Sequence, residues 1–427
     1  MLNKIQGASL IYTLGTLLTK GSRLLLLPLY LIYLSQEEIG VLAVSEAVIA
    51  FVTMLLSMGL PASIQRFKFI QIDEKSYFSQ ILTYKIGTGI IGVIIISSIS
   101  YFLNFQFDIV IVIISIIVGF LQSNLAILEN KFIADEQPLK HRTYTFLRFL
   151  SVSIGVIFIL IVLKGSVLEM LYMQAGILLI YNFHLFKVIS LAKKFSNFKI
   201  KESIIFGLQA LPFGISLWGL NLSDRLILQS HVPLDVLSVY SVGYQLASGL
   251  SIVSMGIRDA WRPRLFKTYH NENEHFNNSR MFLKYTWVIF GFCQLIFFGA
   301  YLIFFEFKWF VDYSESYRVT TYVTSGLYYQ ALTLALISIL LYFKRTKIVS
   351  LVAVIAFSVN IILNIIFVPI YGIEAAAVVT IITYLIQFSV LLYLTSRLMY
   401  NRYIFLGYLS IAIQSVLLLI ELLYILN

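Results

Sequence analysis

Five ionisable residues stand inside long apolar runs of this 427-residue chain: Lys20, Arg23, Glu46, Asp224 and Arg225. An ionised side chain at the centre of a lipid-facing helix costs about 2.5–3.5 kcal/mol, so five facing lipid would cost ~12–18 kcal/mol. They must therefore face one another, an anion or water. Lys20 and Arg23 lie one helical turn apart and repel each other. Either an anionic ligand or an acidic partner is needed beside them, and Glu46 is the partner in the second case. Asp224 and Arg225 are neighbours in sequence, and adjacent residues on a helix do not face each other, so each is expected to find its partner elsewhere.

The polar residues around these charges fall on helix faces. Ser9, Thr13, Thr16, Lys20 and Arg23 recur at spacings of four and three, which makes one continuous face. Glu46, Ala50, Thr53 and Ser57 form a second, and Ser115, Gly119, Gln122, Ala126 and Glu129 a third. Further on, Gln209, Pro212, Ser216, Gly219 and Ser223 make one stripe, with Trp218, Asn221 and Arg225 on another. Polar faces on several helices suggest an aqueous chamber between helix bundles. For a single Ser or Thr the plainer explanation is hydrogen bonding between packed helices.

The elements that must carry these groups follow from composition. The chain is 59% hydrophobic and 12% charged, with a mean hydropathy of +0.88. A soluble domain holds about 25% charged residues, so hydrocarbon replaces water around most of this surface. Thirteen apolar segments are expected, near 8–34, 39–65, 79–103, 108–129, 143–163, 167–190, 203–230, 235–258, 284–306, 319–343, 347–370, 373–396 and 403–426. Each is long enough to cross ~30 Å of hydrocarbon as a helix. The first is expected to be a retained helix, having no small-residue cleavage site after it. With this alternation, 25 Lys and Arg fall in loops on one side, Lys85 and Arg148 counted among them, and three on the other: Lys164, Lys308 and Arg318. The positive-inside rule puts the N-terminus and the 258–284 loop in the cytoplasm. That placement also explains the net charge of +10 without nucleic acid. One cysteine, Cys293, and five histidines without zinc spacing give no disulfide or metal site.

A faint internal repeat is visible. Ser57-Met58-Gly59 recurs as Ser254-Met255-Gly256, each followed by a basic stretch, Arg66-Phe67 and Arg264-Leu265-Phe266. The offset spans six segments, as parallel repeats about an axis along the membrane normal would give. The expected architecture is all-α: a six-helix bundle over 1–200, a second over 201–400, and an additional transmembrane helix over 401–427.

Four stretches carry a family resemblance. They are Gly21-Ser22-Arg23 through Pro28 with Glu37-Glu38-Ile39-Gly40; Leu211-Pro212 with Asn221-Leu222-Ser223-Asp224-Arg225; Ala260-Trp261-Arg262-Pro263; and Lys344-Arg345-Thr346-Lys347 onward. The last continues through Asn360, Asn364, Pro369-Ile370-Tyr371-Gly372, Ala375-Ala376-Ala377, Thr380 and Tyr384. On these residues the chain resembles the Wzx-type polysaccharide flippases of the multidrug/oligosaccharidyl-lipid/polysaccharide (MOP) exporter superfamily. Asn360 and Asn364 share a face; Pro369 and Gly372 end a helix and turn the chain, an architectural motif.

The resemblance implies two bundles around a cavity that opens alternately to each side of the bacterial cytoplasmic membrane. It implies an undecaprenyl-diphosphate-linked oligosaccharide as substrate, moved from inner to outer leaflet for capsule or O-antigen assembly, with a repeat-unit polymerase as a partner. Lys20, Arg23, Arg225 and Asn221 are the expected substrate-binding residues. No P-loop or catalytic constellation occurs, so an ion gradient is the expected energy source. Asp224, Glu46 and Glu129 are the candidates to carry its H⁺ or Na⁺, and no other cofactor is expected. The alternatives are a multidrug exporter of the same superfamily and a membrane-bound glycan polymerase or glycosyltransferase. The second would place its catalytic groups in sizeable outer loops, which this sequence lacks.

Overall fold

The computed structural model describes residues 24–67, 74–189, 197–267, 272–306 and 311–398, together with Gln414. Every regular element among the described residues is helical. Lys20, Arg23 and the last expected segment, Gln414 excepted, lie outside them.

The helices are α1 (Leu24–Tyr33), α2 (Gln36–Ser57), α3 (Leu60–Phe67), α4 (Glu74–Tyr101), α5 (Ile109–Ala134), α6 (Pro138–Ile157), α7 (Val167–Ile189), α8 (Asn197–Leu228), α9 (Leu234–Lys267), α10 (Glu272–Glu306), α11 (Ser316–Tyr342) and α12 (Thr346–Leu398). Eight of the described helices are long and apolar enough to cross a membrane, α12 being counted once. Lipid contact explains why Ile90, Ile91, Ile94 and Ile95 on α4, and Ile362, Ile365 and Ile366 on α12, leave their side chains on the outer surface.

Local chemistry sets several boundaries. Ser35 caps α2: its Oγ accepts from Glu38 N at 3.2 Å while Glu38 Oε2 accepts from Ser35 N at 3.0 Å. Asp108 caps α5 through Val110 N, and Pro138 opens α6. A π-helical turn, Phe158–Leu163, extends α6 to Lys164, which ends it in a left-handed conformation. Within α12, Gly372 takes φ 59° and ψ −135°, a conformation essentially confined to glycine. It divides the helix into arms over 346–371 and 373–398, close to the expected segments. Pro369 stays in the last turn of the first arm.

The expected single segment over 39–65 is two helices. Met58 (φ 52°) and Gly59 (φ 65°) are both left-handed and separate α2 from α3. Two cations expected in loops are inside helices. Lys85 lies on α4 with no solvent exposure, and Arg148 lies on α6, half-buried. Loop assignment fails for them because each sits only a few residues inside an apolar run, beside polar partners on a neighbouring helix.

By packing the chain forms two compact units, one over Leu26–Asp235 and one from Val236 onward. The packing boundary falls one helix beyond 200/201. In the first unit α2 runs against α5, with Val44, Ala47, Val52, Ile116 and Leu125 fully buried. α8 joins this unit by docking on α2 and α3. A Cβ on Gly59 would sit 2.2 Å from Gly207 O, and one on Gly207 would sit 2.4 Å from Met58 O. The two backbones touch because both residues lack side chains. In the second unit α11 is buried along most of its length between α10 and α12. Ala376 and Ala377, fully buried, permit the close approach of the second arm of α12. Thr320 Oγ1 donates to Gly243 O at 3.2 Å and ties α9 to α11.

Candidate functional site

Asn221, Asp224 and Arg225 occupy the end of α8, and Arg225 is in its last turn. Asp224 and Arg225 are buried. Contrary to the sequence expectation, they meet each other: Arg225 Nη1 lies 3.3 Å from Asp224 Oδ1. The long guanidinium arm folds back, so Nη1 also donates to Asn221 O at 3.0 Å. Asp224 Oδ1 accepts the Arg225 backbone N–H at 2.8 Å as well. A cation in a helix's last turn is further favoured by the carbonyl ends there. The Asn221 amide donates to Leu217 O one turn back. Thus Arg225 is a buried cation near a helix terminus, and its anionic neighbour and the backbone carbonyl offset the cost of its burial.

On α2, Glu46 is half-buried and has no ion-pair partner among the described residues. One residue on, Ala47 O accepts from Trp218 Nε1 of α8 at 3.1 Å, and the Trp218 ring lies 4.6 Å from that of Phe51. Thr53 donates to Gly119 O at 3.1 Å and reaches Gln122 Oε1 at 3.4 Å. The polar faces of α2 and α5 therefore meet partly in a helix–helix contact. Glu129 of α5 is paired with Arg148 of α6 at 2.7 Å. On α8, Ser216 and Ser223 are buried and donate to the carbonyls of Pro212 and Gly219 one turn back, so their hydroxyls are satisfied within their own helix and not by a neighbouring one.

Sequence reasoning passes over Lys85. Its ammonium donates to Ser123 Oγ and Asn124 Oδ1 of α5 and lies 4.8 Å from the centre of the Phe120 ring. Among the described residues no carboxylate pairs with it. The signal for it is its place within the apolar run 79–103.

In the second unit Asn364 Nδ2 donates to Asn360 Oδ1 at 3.1 Å, and Asn360 Nδ2 donates to Thr383 Oγ1 at 3.3 Å across the two arms of α12. Both asparagines are buried. Gln330 Nε2 of α11 donates to Tyr384 OH at 2.7 Å. Among the described residues, the buried polar groups of this unit are neutral amides and hydroxyls, whereas those of the first unit include Lys85, Asp224 and Arg225. Among the described residues no group of His, Cys, Asp and Glu is placed to hold a metal ion.

The family of polysaccharide biosynthesis proteins matches residues 7–269, more than half of the chain. The chain belongs to the polysaccharide biosynthesis protein family. Its fold is that of the MOP-superfamily transporters. The lipid II flippase MurJ in an inward closed conformation is similar to it with a TM-score of 0.68 at 16% identity, over 96% of this chain and 98% of that one. An inward-facing multidrug resistance transporter of the MATE family, in the MOP superfamily, gives 0.65 at 11% identity, over 88% and 94%. The MATE multidrug transporter DinF-BH gives 0.61 at 14% identity, over 93% and 95%. No curated protein matches the sequence. For this member of the polysaccharide biosynthesis family, the helices described above are a multi-pass membrane architecture.

Proposed function

We propose that this protein is a flippase that moves undecaprenyl-diphosphate-linked oligosaccharide repeat units from the inner to the outer leaflet of the bacterial cytoplasmic membrane. The observation that carries the reading is membership of the polysaccharide biosynthesis family on a transporter fold shared with a lipid flippase. Its N-terminus is cytoplasmic, in keeping with the uneven distribution of loop cations. Lys20 and Arg23 hold the diphosphate. Arg225, already matched by Asp224, has the smaller part, with Asn221 beside it. Glu46, half-buried without an ion-pair partner among the described residues, is the best-placed acid to carry a coupling H⁺ or Na⁺. A repeat-unit polymerase takes up the product on the outer side, for capsule or O-antigen assembly.

Deletion followed by complementation tests the function. Loss of surface polysaccharide without a change in drug sensitivity is expected; drug sensitivity with intact polysaccharide would instead identify a multidrug exporter. Within that assay, Arg23→Gln should abolish export while the protein remains inserted, and Arg23→Lys should retain part of it, since lysine keeps the charge but loses the planar fork. If Arg23 only neutralises Glu46, the double variant Arg23→Gln with Glu46→Gln should export normally, because no unpaired charge stays buried. A functional double variant would remove Arg23 from the anion site.

A further inference from the structure

At the end of α3 the Arg66 side chain is exposed, yet it is held in place by two aromatic rings. Its guanidinium carbon lies 4.6 Å from the centre of the Phe206 ring on α8 and 5.5 Å from that of Phe67. The two rings meet edge to face at 5.8 Å. This arrangement is made by the left-handed break at Met58 and Gly59. The break turns α3 toward α8, and the Gly59–Gly207 backbone contact fixes the approach one residue from Phe206. Gln65 Nε2, donating to Asn130 Oδ1 at 2.7 Å, holds the other side of α3 to α5.

Among the described residues no carboxylate pairs with Arg66. A guanidinium that uses its face on an aromatic ring keeps its in-plane N–H groups for an oxyanion, and phosphate matches that fork. Arg66 also lies in the last turn of α3, next to the stretch of sequence that holds Lys68 and Lys75, and cations flanking an apolar run are where a protein meets lipid headgroups. We propose that Arg66, seated on Phe67 and Phe206, binds the phosphate of a membrane lipid. Two lipids present that chemistry, an anionic glycerophospholipid and a polyprenyl phosphate or diphosphate. That the second is a substrate on its way to transport rests on the proposed function; the binding itself does not.

The test uses the purified full-length chain in detergent, with phosphatidylglycerol, undecaprenyl phosphate and inorganic diphosphate as probes, and bound lipid counted by native mass spectrometry. Arg66→Gln should weaken lipid binding about tenfold, the loss expected when a charge-assisted phosphate contact is removed. Arg66→Lys should fall between it and the wild type. Arg345→Gln, which removes an exposed cation of another loop, should change binding less than about twofold. Loss of both lipids assigns a general lipid-phosphate site, and loss of undecaprenyl phosphate alone assigns a polyprenyl site; either supports the proposal. Equal losses in Arg66→Gln and Arg345→Gln, or none in Arg66→Gln, would overturn it. So would inorganic diphosphate binding as tightly as the lipids, which would make this a free-anion site. Phe206→Leu, which keeps the cation and removes the ring, should lose about threefold and guards against misfolding of the arginine variants. Because binding is read without transport, failure of the flippase assay leaves these outcomes distinct.

Discussion

The same three residues behave differently in the two units. Ser57-Met58-Gly59 ends α2 with two left-handed residues, while Ser254-Met255-Gly256 runs on inside α9. The serines do not differ locally: Ser57 Oγ donates to Met54 O at 2.8 Å and Ser254 Oγ to Ser251 O at 2.9 Å. What differs is the surroundings of the glycine. Gly59 lies against the backbone of Gly207, whereas nothing lies within 4 Å of a Cβ placed on Gly256. Tertiary contact, and not the tripeptide, decides whether the helix breaks. A second contrast sits beside the first. Lys85, one turn from Thr88, whose Oγ1 reaches Met58 Sδ at 3.6 Å, is a buried cation; at the repeat offset the second unit has buried Phe282 and Leu283.

The largest effect should come from Gly59→Ala. The new Cβ meets Gly207 O, and a left-handed alanine costs about 1–2 kcal/mol before any clash. Overpacking against backbone adds about 1–3 kcal/mol, so the detergent melting temperature should drop sharply or the protein fail to accumulate. Gly207→Ala separates the two contributions, since Gly207 is helical and only the clash with Met58 O applies. It should be the milder variant of the pair. If both variants melt like the wild type, the break is not held by this contact.

Lys85→Met should come next. The substitution leaves Asn124 Oδ1 buried without that donor, at a cost of about 1–3 kcal/mol. The double variant Lys85→Met with Asn124→Leu makes both sides of this contact apolar, and should recover most of the loss. A double variant less stable than Lys85→Met alone would mean that the charge itself holds the first unit together.

Much of this architecture is legible in the sequence because hydrocarbon leaves the backbone few choices. Apolar runs become helices, and Pro369 with Gly372 marks a turn between two arms. The break at Met58 is not legible, since its run stays apolar through residue 65 and the deciding atom belongs to Gly207, far along the chain. The Asp224–Arg225 contact escapes the sequence for another reason. Backbone geometry separates adjacent residues around a helix, but an arginine is long enough to fold back across its own turn. Lys85 reads as a loop cation because charge near the edge of an apolar run ordinarily marks a loop; here Ser123 and Asn124 supply its hydrogen bonds inside the bundle. Lys20 and Arg23, on which the anion site rests, lie outside the described residues, so their pairing stays with the complementation test.

The smallest effect should be that of Gly256→Ala, and its sign is the informative part. A glycine inside a continuous helix loses more backbone freedom on folding than alanine does, which leaves it about 0.5–1 kcal/mol less stable. With open space around the new methyl group, no clash offsets that gain. Gly256→Ala should therefore raise the melting temperature slightly, opposite in sign to Gly59→Ala, though each removes the glycine of the same tripeptide. A fall instead would mean that the glycine is needed for close packing of α9, and a raised melt with lost export that it is needed for bending. The same variant, assayed for surface polysaccharide, separates those cases. A glycine needed only for bending during transport would leave the melt raised and reduce export, while a glycine needed for packing would lower both.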